Sequence, residues 1–248
     1  TIEEVGVDRV AAFIAEPVQG AGGAIIPPDS YWPEIQRICD HYGILLIADE
    51  VITGIGRFGH WFASEHYGIR PDLITFAKGI TSGYQPLGGV LVSDRVAEVL
   101  VAKGGEFYHG FTYSGHPVAC AVARATLKVM QDEQLVTRVR DHVIPAFASR
   151  LRKLGDHPLV GEVRSAGLIG GVELVARQGT RQRFAKDLKV GERCRDFCIE
   201  QGLVMRAVGD TMIIAPPFIT TDAQLDELVD KAWRAFDLTR KSLGDGRP

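Results

Sequence analysis

The sequence predicts an α/β fold followed by a smaller α+β domain, and three observations carry that reading. Short apolar runs end on charged residues: Arg9 to Ala15 before Glu16, Ile44 to Ala48 before Asp49 and Glu50, and Asp72 to Ala77 before Lys78. The middle run is too short for a helix and too apolar for an exposed strand, so it reads as a buried parallel strand, and the other two read as short strands beside it in the chain. Between the first two, Tyr31 to Tyr42 alternates with a helical period, and Gly43 closes it. Beyond about Gln131 the charge density rises and the pattern changes to long amphipathic helices with short strands.

Taken in order, Glu16-Pro17 ends the first strand, and the following Pro-Val-Gln-Gly-Ala-Gly-Gly is a loop by composition. Pro27-Pro28-Asp29-Ser30 makes the turn before the helix. After the second strand comes Gly54-Ile55-Gly56-Arg57-Phe58-Gly59, a literal G-x-G-x-x-G. A dinucleotide site also wants an acid at the end of the next strand, and Lys78 has the wrong charge there. Thr81 to Gly89 is a second glycine-rich loop leading into Val90-Leu91-Val92, and Asp94 to Ala102 reads as a helix with Asp94 as N-cap. A polar, aromatic loop from Phe107 to Tyr113 precedes a helix from about Pro117 to Met130. His109 and His116 read as hydrogen-bonding members of that loop.

The domain boundary falls near Gln131 to Gln134, dividing 1–132 from 133–248. A long amphipathic helix runs on to about Leu154, followed by a strand near Gly167 to Val175 and a charged loop. A helix from about Ala185 to Gln201 and short strands near Val204 and Ile213 come next. The last helix spans Thr221 to Leu243, and Thr221-Asp222-Ala223-Gln224 suits its N-terminus.

Bulk properties narrow the function. The chain has 248 residues, is 46% hydrophobic and carries a net charge of −3 with acids and bases interspersed. That leaves no electrostatic footprint for nucleic acid or an anionic membrane. No apolar run approaches the roughly 20 residues of a membrane span, and no signal peptide opens the chain. The four cysteines, Cys39, Cys120, Cys194 and Cys198, form no secreted disulfide pattern. Cys194 and Cys198 share a helix but lack a His or second Cys pair, so no metal site is expected and a cytoplasmic location is.

Asp49 and Lys78 stand at matching ends of two strands, where open α/β sheets carry their ligands. A buried Asp and a buried Lys each need a partner. One reading is a structural ion pair. The other is a site for pyridoxal 5'-phosphate (PLP), which needs an amine to form an imine with its aldehyde and a carboxylate beside its ring nitrogen. Lysine alone can do the first, and burial favours its nucleophilic form.

DEVITGIGRFG followed by FAKGITSGYQPLGGVLVSD resembles the class III (omega) aminotransferases, a PLP-dependent family of the aspartate aminotransferase fold (fold type I). AEPVQGAGG, GFTYSGHPVACA, HPLVGEVRSAGLIGGVEL and VMRAVGDTMIIAPPF match in the family's order over nearly the whole chain. The resemblance implies a partial large domain with a C-terminal α+β small domain. It also implies transfer of an amino group from a primary amine or ω-amino acid to a 2-oxo acid such as pyruvate. Lys78 would carry PLP and Asp49 would hold the ring nitrogen protonated. Val51 and Ile52 would pack near the ring and substrate, and Glu16 near the cofactor's active face. Phe111 and Thr112 would reach the cofactor phosphate of a neighbouring subunit, implying a homodimer or a tetramer. Ala21 would line the substrate pocket, and Arg206 would grip the oxo acid's carboxylate. Residue 1 is Thr, and the family's phosphate-cradling turn and ring-stacking aromatic lie upstream, so an N-terminally truncated chain is expected. A mutase, racemase or decarboxylase of the same family would share Lys78 and Asp49. A PLP-free imine-forming aldolase would leave Asp49, Val51 and Thr112 idle, and an inactive remnant would bind nothing.

Overall fold

A computed structural model describes residues 1–244. The chain divides into two units. The first comprises Thr1–Pro17 and Pro27–Val136, the second Val18–Ile26 and Thr137–Pro248.

The first unit is built on a four-stranded sheet in the order β1 (Ala12–Ala15), β2 (Leu45–Asp49), β3 (Leu73–Phe76), β4 (Gly89–Val92). The first three strands are parallel and β4 runs antiparallel to β3. Helix α1 (Tyr31–Tyr42) makes the crossover from β1 to β2 and ends on Gly43 in the left-handed conformation, which glycine adopts without steric cost. Its Trp32 is fully buried with Cys39, Ile44, Leu46 and Ile69, and its indole N–H donates to Pro17 O at 3.1 Å. Asp72 locks the strand starts together: Leu46 N–H donates to its carboxylate at 3.0 Å, and its own N–H to Leu46 O at 2.7 Å.

Helix α2 (Ala63–Tyr67) lies between β2 and β3, α3 (Asp94–Lys103) follows β4, and α4 (Pro117–Asp132) ends the unit's regular structure. The N-cap of α3 is Ser93, one residue before the expected Asp94, which instead opens the first turn. There its negative charge still suits the positive end of the helix. Before α4, His116 is the cap itself, its Nδ1 accepting from Ala119 N–H at 3.5 Å, with Pro117 in the first turn.

The second unit carries an antiparallel sheet in the order β5 (Val160–Ala166), β6 (Ile169–Leu174), β8 (Thr211–Ile214), β7 (Arg206–Val208). Strand β5 was not expected from its local sequence, where Glu162 and Arg164 interrupt the apolar pattern. The expected continuous helix from Gln131 to Leu154 is broken at Gln134, whose φ is 49°. Helical structure resumes at Leu135, passes through a wide π turn at Val139–Val143 and continues as α5 (Ile144–Arg152). Pro145 has no N–H for the regular ladder, and a local change of helical register accommodates it. Val139, Val143, Phe147 and Leu151, four apart, put one apolar face into the core with Leu168, Val172, Met212 and Phe236.

Helix α6 (Val190–Glu200) starts later than expected, because Lys189 takes a left-handed turn with φ 48°. Its Gly191 is obligatory: a Cβ there would lie 1.9 Å from Gly209 O. Helix α7 (Asp222–Ser242) begins on a reciprocal cap, with Gln224 N–H donating to Thr221 Oγ1 and Thr221 N–H to Gln224 Oε1. Cys194 and Cys198 are buried free thiols in the core, and no metal-binding cluster occurs among the described residues.

His157 is fully buried against Trp233 and Phe236. Its Nδ1 accepts from Leu159 N–H at 3.1 Å, so the ring proton sits on Nε2 and faces Asp237 Oδ1 at 3.3 Å. Burial holds the imidazole below its usual value; Asp237 opposes that effect and the charge of Arg240 adds to it. A depressed folded pKa means that the unfolded chain takes up the proton first as pH falls. Stability of this unit is therefore fully present above the unfolded value of about 6.5 and declines below it. Urea unfolding as a function of pH should show that decline, and His157→Gln should flatten it.

Candidate active site

The two acids that end β2 have opposite surroundings. Glu50 is 1% exposed. It accepts from Ala63 N–H at 2.5 Å, Ser64 N–H at 2.7 Å and Thr53 Oγ1–H at 3.1 Å. Burial pushes its carboxyl up, and those donors pull it back. The carboxylate thus caps α2 from across the turn and holds the Gly54–Gly59 segment folded.

Asp49 is half-buried and differently held. Its Oδ1 accepts from Thr75 Oγ1–H at 3.0 Å, across the β2–β3 ladder, and from Val51 N–H at 3.2 Å. Among the described residues, no protein group donates to Oδ2. Val51 and Ile52 follow in the turn, both half-buried.

Lys78 leaves the end of β3 with a φ of 43° and opens a 3-10 turn, Lys78–Thr81. A left-handed conformation is unusual for a residue with a side chain, and it persists only where its surroundings fix it. Two neighbours do so. Ile55 lies so close that a Cβ on Gly79 would stand 3.1 Å from the Ile55 Cβ, and α4 packs against the same turn. The glycine-rich pattern around Ile55 therefore serves to let one tight turn nest on another. Arg57, in the same pattern, is desolvated enough to be pushed down to about 10.

The expectation of a buried Lys78 is not met: the side chain is exposed, because nothing in the described chain covers this end of β3. Lys78 also makes no ion pair among the described residues, so the structural ion-pair reading of Asp49 and Lys78 does not hold. A lysine with no ion-pair partner among the described residues, and a carboxylate with one oxygen held and one without a donor among them, at the ends of adjacent parallel strands, fit the amine and ring-nitrogen contacts of pyridoxal phosphate.

The remaining expected residues are spread over both units. Glu16 follows β1 in the first unit and is half-buried. Phe111 is 80% exposed, and Thr112 is exposed in the same loop, which Ser114 steadies by accepting from Phe111 N–H at 2.9 Å. In the second unit Ala21 is exposed in the loop Val18–Ile26, and Arg206 is exposed at the start of β7. Two structural supports were not singled out from sequence: Thr75, whose alternation in β3 could have pointed to it, and Glu50, adjacent to Asp49 but facing inward.

Glu50→Ala should strand the two α2 amides without an acceptor, at about 1–3 kcal/mol each. Glu50→Gln keeps one carbonyl acceptor and should lie between that variant and wild type. Denaturant midpoints of the three proteins check the order.

The family profile described as Aminotransferase class-III matches residues 1–236. Putrescine–pyruvate aminotransferase of Pseudomonas aeruginosa is 55% identical over 242 residues, covering 98% of this chain and 53% of that protein. Diaminobutyrate–2-oxoglutarate transaminase of Halomonas elongata is 45% identical, covering 96% of this chain and 52% of that protein. Among solved structures, a transaminase from the marine bacterium Virgibacillus superposes with a TM-score of 0.94 at 44% identity, covering 98% of this chain and 56% of that chain. The omega transaminase of Pseudomonas jessenii in complex with PMP gives 0.93 at 40% identity, covering 99% and 55%. The chain spans about half the length of the curated relatives it matches. Its folded parts are those of solved transaminases, and it belongs to the class-III aminotransferase family.

Proposed function

We propose that the protein carrying this chain is a PLP-dependent transaminase that moves an amino group from a primary amine or ω-amino acid to a 2-oxo acid such as pyruvate. The observation that carries this reading is the pairing of Asp49 and Lys78 on neighbouring strand ends, each with a functional group left open. Membership of the family supports it, as does the relative named for putrescine and pyruvate.

When bound, PLP supplies an electron sink that makes a proton on the amine-bearing carbon removable. Lys78 Nζ would hold the resting cofactor and, once displaced by the incoming amine, would take the proton from the amine-bearing carbon and in the second half supply one to the carbon of the oxo acid. Asp49 would hold the proton on the ring nitrogen, with Thr75 and Val51 fixing its carboxylate through Oδ1. Val51 and Ile52 supply apolar surface beside the ring, and Glu16 a polar group at the cofactor's face. Thr112, with Phe111 beside it, contributes a phosphate contact to a second copy, making a homodimer the smallest active form. The exposure of Phe107, Tyr108, Phe111 and Tyr113 in one loop supports packing against such a copy. No described helix is long and apolar enough to cross a membrane.

Lys78→Ala in the intact enzyme should abolish turnover, and borohydride should no longer attach the cofactor covalently to the protein. Cofactor fixed to the Lys78→Ala protein would remove Lys78 from this role.

Arg206 is assigned to the carboxylate of the oxo acid. A planar guanidinium binds a carboxylate through two parallel bonds, and an exposed arginine can swing away when the amine brings no carboxylate. Hydrogen bonds to charged groups are worth roughly 1.5–3 kcal/mol each, so losing two of them in Arg206→Ala should lower kcat/KM for pyruvate by at least about 100-fold. The half-reaction with a carboxylate-free amine should change by less than about threefold in single-turnover measurements. Equal losses in both halves would mean that Arg206 supports the fold instead.

A further inference from the structure

We infer that Arg164 is a positioning residue for amine selection: it clamps the loop Val18–Ile26, and with it Ala21, onto the second unit's sheet. This role presupposes the reading above that Ala21 touches the amine substrate. The loop is flanked on both sides by segments of the first unit, yet it belongs to the second. Its backbone closes on itself. Gln19 and Ile25 exchange N–H···O bonds of 3.1 and 3.0 Å, and the N–H groups of Gly23 and Ala24 both reach Gly20 O at 3.2 Å.

The side chain of Arg164 ties that closed loop to the sheet. Arg164, on β5, donates Nη2–H to Gly23 O at 2.7 Å and Nε–H to Ala24 O at 2.8 Å. Its Nη1 goes to Glu173 Oε2 at 3.1 Å and lies 3.3 Å from Glu162 Oε1. An ordinary surface ion pair would need only the carboxylates. The two short bonds to loop carbonyls use the fixed planar fork of a guanidinium, which a lysine ammonium does not have.

The sheet is shaped to receive the loop. A Cβ on Gly171 would stand 3.2 Å from Ala24 Cβ and 3.3 Å from Gly23 O, so the glycine leaves a notch that Ala24 occupies. Ala24 is 1% exposed and holds a φ of 53°, a conformation a residue with a side chain keeps only when its contacts impose it. The Arg164 fork and the Gly171 notch impose it. Ala21, three residues away at the exposed tip, is thereby fixed in place.

Arg164→Met keeps the apolar stem and removes every donor. In the intact enzyme it should relax the kcat/KM ratio between a small and a bulky primary amine by about tenfold, the scale on which a pocket distinguishes neighbouring sizes. The absorption of the bound cofactor should not change. Amide hydrogen exchange in residues 18–26 should accelerate while β6 stays protected, and Arg164→Lys should restore part of both effects. Ala21→Val reports on the underlying reading: an unchanged amine ratio in that variant takes Ala21 out of the pocket and overturns the selectivity role. A ratio that shifts in Ala21→Val while Arg164→Met matches wild type in ratio and exchange overturns the clamp and leaves the pocket reading intact. Exchange that rises through the whole sheet overturns it too, since Arg164 would then be holding the strands. Should Arg164→Met fail to fold, Gly171→Ala presses the loop from the other side, and an unchanged amine ratio there is equally fatal.

Discussion

The carboxylate of Glu50 lies inside the first unit, and both of its oxygens are committed to the chain's own donors. A buried charge is tolerable only when so satisfied. Because Glu50 draws Ala63, Ser64 and Thr53 together, the long return from β2 to β3 folds back as one tight body. That body places Ile55 against Gly79 and so supports the left-handed turn from which Lys78 projects. The adjacent Asp49 is free to do the opposite: one oxygen anchors it to Thr75 and Val51, and the other stays available. Two neighbouring acids are held differently: one has both oxygens saturated by the backbone and a hydroxyl, the other has one oxygen held and one without a donor among the described residues.

The second unit solves a different problem, that of packing helices and a loop closely on a small antiparallel sheet. Consecutive glycines on β6 face opposite ways, as residues of a strand must. On one side Gly170 makes room for Leu151 and Phe147; on the other Gly171 makes room for Ala24. A side chain at either position would push a whole layer outward, which is costly in a close-packed core.

Exposure of Lys78 bears on how the proposed reaction would be assisted. An amine in water is strongly solvated as the ammonium, and only burial or a neighbouring positive charge moves it toward the neutral nucleophile. The described residues leave that end of β3 uncovered.

By itself the sequence determined what is local. Periodicity and a terminal glycine defined α1 from Tyr31 to Tyr42, and short apolar runs located β1, β2 and β3 to within three residues at each end. The Thr221–Gln224 cap could be read because a capping box lies within four residues. Placing Asp49 and Lys78 at corresponding strand ends followed from the same local patterns. Tertiary structure alone decided which unit owns Val18–Ile26, that β5 pairs with β6, and that Glu50 faces inward while Asp49 keeps an oxygen open. It also decided that Lys78 is exposed. These depend on contacts between residues far apart in the chain, such as Arg164 with Gly23, or on which face of a turn is covered. No window of local sequence contains both partners of such a contact, so neither its presence nor its absence is written there.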